Sequence, residues 1–340
     1  MGNPQADKRG LFGLAGRKPG AAGLSDLSPK TPAPVMSDAA QLARDLPVMR
    51  MNQRALAAAA ARGPVRYATV ADAALELVGV QSRAAVVADI TRPGFAYWCD
   101  ALQCFVRPQR KLWEFAAVLQ AFYEAGVLTP GARMLGLGVG DEPIPSYLAS
   151  LGLDVVATDL PGVTDRERVW RSSMLEGDAF DRRVEVSDVD IRRLDDPTLR
   201  GFDGLWSCSV VNALASPDAA AEAIVAAMDT LKPGGVAVHA TEFAFADDQP
   251  PQTPGSLFFP RRFFQSLADG LNGRGHQVAP VSFNLGQDAL DGYVDLEPYT
   301  AEGAEAFEDL WREGLGCPHL KVMSGGVLTT SFALVIRARL

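Results

Sequence analysis

Cysteine, histidine and lysine are scarce in this chain of 340 residues. The four cysteines, Cys99, Cys104, Cys208 and Cys317, form no CxxC pair and have no histidine at ligand spacing, so neither a disulfide framework nor a metal site is implied and a reducing compartment fits. Basic residues number 32 against 41 acidic ones, for a formal net charge of −9. Nucleic-acid affinity rests on clustered Lys and Arg neutralising phosphates, so no nucleic-acid partner is expected. Long apolar runs are missing too. Leu11 to Gly16 is far shorter than a signal core and runs into Arg17, Lys18 and Pro19, so neither a membrane span nor a secretion signal is expected and the cytoplasm is the expected location. Aromatics are almost absent ahead of Val65, where Phe12 stands alone among many Gly and Pro. That stretch can bury little, so residues 1–64 read as a largely disordered or weakly ordered tail, with a helix of weak burial over Ala55 to Ala61.

What is present is a globular composition, 48% hydrophobic and 21% charged, over a length that allows two domains or one domain with additions. Aromatics are dense between Phe95 and Tyr123, where Tyr97, Trp98, Phe105, Trp113, Phe115 and Phe122 also fall. Leu112, Phe115, Leu119 and Phe122 recur at the spacing of one buried helix face, with Gly126 suited to its end, so residues 65–126 read as a helical segment. Tyr97 and Trp98 precede that helix and are either core or pocket lining. From Arg133 onward strands over Met134 to Leu137, Leu153 to Thr158, Val184 to Val189, Leu205 to Ser209 and Val236 to Thr241 alternate with helices near Ser146 to Ser150 and Asp218 to Leu231. A last strand is expected within Val327 to Leu340. Such alternation favours crossover connections and a doubly wound, mostly parallel α/β sheet.

The most informative segment is Arg133-Met-Leu-Gly-Leu-Gly-Val-Gly-Asp-Glu-Pro143, a strand running into Gly136, Gly138 and Gly140 and then a helix start. Glycines there let the backbone approach a ligand closely. Asp159 ends the next strand, where an acid can accept both hydroxyls of a ribose. The GxGxxG of a dinucleotide site fails in both registers, with Asp141 or Pro143 at the third position, and no lysine is present for a phosphate loop. A ligand with a ribose, an adenine-sized ring and a compact charged end remains.

These residues resemble the class I S-adenosylmethionine (SAM)-dependent methyltransferases. The loop Leu135 to Gly140 is similar to their first motif, with Gly136 where an acid is common and Glu142 where a third glycine is common. Asp159 matches their ribose-binding acid, Val189-Asp190-Ile191 the segment that meets the adenine, Phe202 to Ser207 their fourth strand, and Leu231-Lys-Pro-Gly-Gly235 the turn into their fifth. The resemblance implies a Rossmann-like sheet of seven strands with an N-terminal helical extension, a SAM-binding core over 127–245, and a C-terminal part, 246–340, with insertions that shape the acceptor pocket. It implies cofactor contacts from Gly136, Gly138, Gly140, Asp159, Leu160, Asp190, Ile191 and Ser207. The strings Gly138 to Pro143, His239 to Phe243 and Thr329 to Phe332 further resemble a bacterial subgroup associated with surface-glycan loci, which carries Glu-His where this chain has Asn212-Ala213.

The reaction expected is methyl transfer to a small molecule or sugar, as an O-methylation, and a hydroxyl acceptor calls for a base. Glu242, just past the fifth strand, and His239 within it are the candidates. Asp141 and Glu142 can meet the cofactor's ammonium or serve as an acidic first helical turn. His276 reads as structural, and His319 as a surface residue or part of a loop over the site. The alternatives are a SAM-binding protein without catalysis and, disfavoured by the glycine spacing, an NAD-dependent oxidoreductase.

Overall fold

The computed structural model describes residues 38–63, 67–160, 174–175, 177–247, 252–253, 256–296 and 318–340. Most of the expected tail, Cys317 and parts of the expected pocket-shaping insertions lie outside them.

Within the described residues twelve strands are formed: β1 (Ser82–Ala84), β2 (Arg133–Gly136), β3 (Asp154–Asp159), β4 (Val184–Asp188), β5 (Phe202–Cys208), β6 (Leu231–Ala244), β7 (Gln252–Thr253), β8 (Ser256–Leu257), β9 (Gln277–Val278), β10 (Val281–Ser282), β11 (Lys321–Ser324) and β12 (Val327–Arg337). Seven α-helices accompany them there: α1 (Asp38–Arg62), α2 (Val87–Ile90), α3 (Pro93–Ala101), α4 (Arg110–Ala125), α5 (Ile144–Ser150), α6 (Pro217–Ala227) and α7 (Arg261–Gly273). The main sheet has the order β10-β1-β12-β6-β5-β2-β3-β4, with β9 and β11 also pairing to β12, while β7 and β8 form a separate two-stranded ladder. Strands β2 to β6 are mutually parallel, and β12 runs antiparallel beside β6 with Leu334 opposite His239.

The doubly wound sheet is as expected, but it holds ten strands rather than seven. The additions are short. β1 slots between β12 and β10, and β11 folds back on the start of β12 through Gly325 and Gly326, both at positive φ. Such short elements carry no usable periodicity, which is why the sequence does not announce them.

Alternation along the strands splits the core in two. Met134, Trp206, Val238 and Ala240 face one side and pack with Trp98, Phe115 and Phe122 of α3 and α4. Leu135, Leu205, Ala237, Phe332 and Leu334 face the other and pack with Ile224 of α6 and Phe264 and Leu271 of α7. α4 buries Leu112, Phe115, Leu119 and Phe122 on its inner face and ends at Gly126, whose φ of 74° closes the last turn. α6 starts where Ser216 accepts the Ala219 N–H and Pro217 supplies the first turn. Trp98 is core, its indole N–H donating to Gln120 at 2.7 Å. α1 includes the Ala55 to Ala61 run and docks through Val48, Ala55 and Asn52, whose amide exchanges hydrogen bonds with the Val294 backbone.

Candidate functional site

The chain leaves β2, builds β3 and β4 on one side, then returns to place β5 on the other side of β2. That reversal opens a crevice at the carboxyl ends of β2 and β5, the position at which open α/β sheets take ligands. The glycine loop turns there, anchored by the Val139 N–H on the Thr158 carbonyl and the Thr158 hydroxyl on the Gly136 carbonyl. Each glycine has its own reason. A Cβ at Gly136 would lie 2.4 Å from the Trp206 ring, and one at Gly138, where φ is 60°, would lie 2.3 Å from Val210. At Gly140 φ is 55° and no atom of the described residues lies within 4 Å of the Cβ position.

Asp159 ends β3 beside that loop. Its carboxylate accepts the Gly140 N–H at 2.9 Å and the Leu160 N–H at 2.8 Å, which fixes its orientation and leaves lone pairs for a ligand. Pairing continues past β4 through the Val189 N–H on the Asp159 carbonyl, bringing Asp190 to the same edge. Asp190 is gripped by the Arg192 guanidinium, and those hydrogen bonds hold its carboxyl below the usual range. Ile191 is buried in the core of the α6 and α7 side.

The structure therefore brings Gly136, Gly138, Gly140, Asp159, Leu160 and Asp190 to one edge of the sheet. It does not bring Ser207 or His239 there. Both lie fully buried, Ser207 one residue before the end of β5 with His239 paired beside it, and face the side of α6 and α7, with the Ser207 hydroxyl 2.8 Å from His239 Nδ1. His239 Nε2 finds no partner among the described residues, and burial pulls the imidazole pKa down to about 4, so the ring is neutral near pH 7. Unfolding restores an ordinary imidazole that protonates below about 6.5. The unfolded state then binds more protons than the native one, so stability falls as pH drops from 6.5 towards 4, by about 3 kcal/mol in all. Denaturant unfolding at pH 7 and pH 4.5 should show a loss for the wild type that is smaller in His239→Gln; equal losses would mean that His239 is not the group responsible.

Glu242 lies within β6 rather than past it, because the strand runs on to Ala244, and it sits on the side of α4. Its carboxylate is held by Arg110 at 2.6 Å and by the Thr329 hydroxyl at 2.6 Å. Next to it Lys111 contacts Glu114 at 3.0 Å, the Ser209 hydroxyl at 3.3 Å and the Cys208 carbonyl at 3.4 Å, and Glu114 also accepts from the Ser209 and Ser331 hydroxyls. Ser209 follows β5 directly and holds a φ of 62°, a left-handed conformation that a serine adopts at a cost of about 1–2 kcal/mol and that recurs at functional sites. Glu142 completes the group, accepting the Trp206 indole N–H at 2.8 Å. The sequence does not single out Arg110, Lys111, Glu114 or Ser209. Apart from the Lys111 and Glu114 pair on one helix, their partners come from distant parts of the chain, so no local signal marks them. His319 is buried rather than exposed, with Nδ1 at 2.9 Å from Asp295 and its backbone paired to Pro108 and Arg110.

Among the described residues no cluster of three or more His, Cys, Asp or Glu side chains is arranged to hold a metal ion. No described helix is long and apolar enough to cross a membrane.

No family model and no curated protein sequence matches the chain. Among solved structures it is similar to TehB from Haemophilus influenzae, with 14% identity over 73% of this chain and 67% of that one and a TM-score of 0.44. It is also similar to an S-adenosylmethionine-dependent methyltransferase from Clostridium acetobutylicum (14% identity, 68% and 92% covered, TM-score 0.40) and to the [4+2]-cyclase SpnF (16% identity, 87% and 96% covered, TM-score 0.40). Independently of these neighbours, the reversal at β2 and β5, the glycine loop beside Asp159 and the antiparallel β12 next to β6 give the chain a doubly wound, Rossmann-like α/β fold.

Proposed function

We propose that the chain is a SAM-dependent methyltransferase acting on a small-molecule or glycan hydroxyl. The observation that carries this reading is the Asp159 carboxylate, pinned by two backbone N–H groups at the end of β3 beside the glycine loop. A ribose fits that carboxylate, and the GxGxxG spacing of a dinucleotide loop is absent. Asp190 adjoins it for the adenine, whereas Ile191 packs into the core.

Bound SAM supplies an electrophilic methyl group on a sulfonium. The protein's contribution is to hold the acceptor oxygen in line and to receive its proton. Glu242 is the carboxylate placed for that proton at the acceptor end, with Arg110 and Thr329 fixing its orientation. His239 is withheld by burial. In this reading the polar groups along the first turn of α4 and on β12 face the acceptor.

Calorimetry with SAM and S-adenosylhomocysteine tests cofactor binding, and transfer of radiolabel from SAM to components of a cell extract tests catalysis. Binding without transfer to any extract would favour a non-catalytic SAM-binding protein. Asp159→Ala should weaken SAM binding by about 2–3 kcal/mol, since buried ribose hydroxyls lose a charged acceptor. Unchanged affinity in a folded variant would reject the ribose assignment.

A further inference from the structure

Helices α6 and α7 lie side by side on one face of the sheet and run the same way. α6 leads from the carboxyl end of β5 to the start of β6. α7 leads from Phe259, whose N–H bonds the Glu242 carbonyl near the carboxyl end of β6, down to Gln277, which pairs with Arg337 opposite Val236 at the other end of that strand. Between the two helices lies a groove of about 700 Å³. Its walls carry opposite charge. On one side stand Asp218 and Glu222 of α6 and Asp229 just past it; on the other, Arg262, Ser266, Gly270 and Arg274 recur every fourth residue along α7 and its cap. The charged residues of both walls are exposed, and the half-buried Ala221, Val225 and Phe263 form the floor. Among the described residues no carboxylate of the first wall makes an ion pair, and the two arginines bond backbone carbonyls, those of Asp247 and Gly270. The walls therefore do not neutralise each other.

We propose that this groove is the interface of a homodimer, met by the same two helices of a second copy. A two-fold axis along the groove keeps the helix direction and exchanges the walls, so α6 rests on α7 of the second copy and α7 on its α6. Asp218 and Glu222 then face the second copy's Arg262 at one end, Asp229 faces its Arg274 at the other, and each contact forms twice. An axis across the groove would set acid on acid and arginine on arginine. Like charges brought together at an interface are costly, whereas opposite ones fix partner and orientation. Val225 and Phe263 of both copies supply an apolar centre, and Ala221, Ser266 and Gly270 are small enough for the helices to approach closely. Closed two-fold pairs are the commonest symmetry of soluble oligomers. A face two helices wide and about 18 Å long buries about 500–600 Å² per copy once its ridges interlock. That is the low end for a specific interface, so a dissociation constant of about 1–100 µM is expected.

The test is sedimentation velocity of the full chain from about 2 to about 200 µM, at low salt and at about 0.5 M NaCl. The wild type should dimerise at low salt and at least about tenfold more weakly at high salt, where the facing charges are screened. Glu222→Arg with Asp229→Arg gives both walls a net positive charge, and Arg262→Glu with Arg274→Glu gives both a negative one. Each double variant alone should sediment as a monomer. Their equimolar mixture should recover the dimer, because every reversed wall then meets an opposite one, and that recovery also shows both variants to be folded. A wild type that is monomeric over the whole range, or a dimer indifferent to salt, would overturn the inference without recourse to any variant. So would folded variants whose mixture stays monomeric. Double variants that dimerise as tightly as the wild type would overturn it too, and would place the contact on another face, such as the exposed Leu42, Leu46 and Met49 of α1. None of these outcomes touches the SAM reading.

Discussion

Glu242→Gln is expected to lower kcat about 10²- to 10⁴-fold with SAM affinity nearly unchanged. Glutamine keeps the size of the side chain and an oxygen for Arg110 and Thr329, so the geometry of the acceptor end survives while proton acceptance is lost. The measurement is single-turnover transfer to an acceptor found in the extract screen, paired with SAM calorimetry. If SAM affinity falls together with the rate, the Arg110 and Glu242 pair supports the fold of the crevice and is not an acid–base device. An unaltered rate would point to an amine or carboxylate acceptor, whose nucleophile needs no base.

Gly138→Val is expected to abolish SAM binding and to lower the melting temperature. The first obstacle is internal to the protein, since the new Cβ would lie 2.3 Å from Val210 Cγ2, and φ at this position is 60°. A β-branched residue is strained by that backbone, at a cost of at least about 1–2 kcal/mol before any clash. Gly138→Ala in a Val210→Ala background should recover part of the loss, because the two positions touch and their effects are coupled. Gly140→Ala is the control. A Cβ there meets no atom of the described residues, so the change should cost mainly the conformational strain in stability, and any further loss of SAM affinity would report the ligand's approach to that backbone. Equal behaviour of Gly138→Val and wild type would show that Gly138 neither abuts Val210 nor holds a left-handed turn.

The core strands are legible in the sequence because each is an apolar run between turn residues: β2, β3, β4, β5 and β12 lie close to the expected segments. β6 is longer than expected, reaching from Leu231 to Ala244, because the Lys-Pro-Gly-Gly turn joins the ladder through an irregular register between Phe202 and Gly204. The glycine loop and Asp159 are legible for the same reason of locality, since one strand, one short helix and the next strand hold them all. The acceptor end is not. Arg110 meets Glu242, Ser209 meets Glu114 and His319 meets Asp295 only after separate helices, strands and loops have packed. Polarity in a sequence reads as solvent exposure until a partner appears, which is why His319 reads as a surface residue.

Strand β12 pairs with β1 from the opposite end of the chain, Arg83 lying opposite Ala333. Half of the sheet therefore has no centre until the latest described strand arrives. During synthesis β2 to β6 can close among themselves in chain order, whereas β1, β9 and β11 wait for their shared partner β12. Contacts of such span are slow to form, since the entropy of closing the loop is lost before any pairing repays it. On the ribosome the exposed flank of β6, a row of unpaired N–H and C=O groups from Val236 to Ala244, is the part of the nascent molecule most in need of a chaperone.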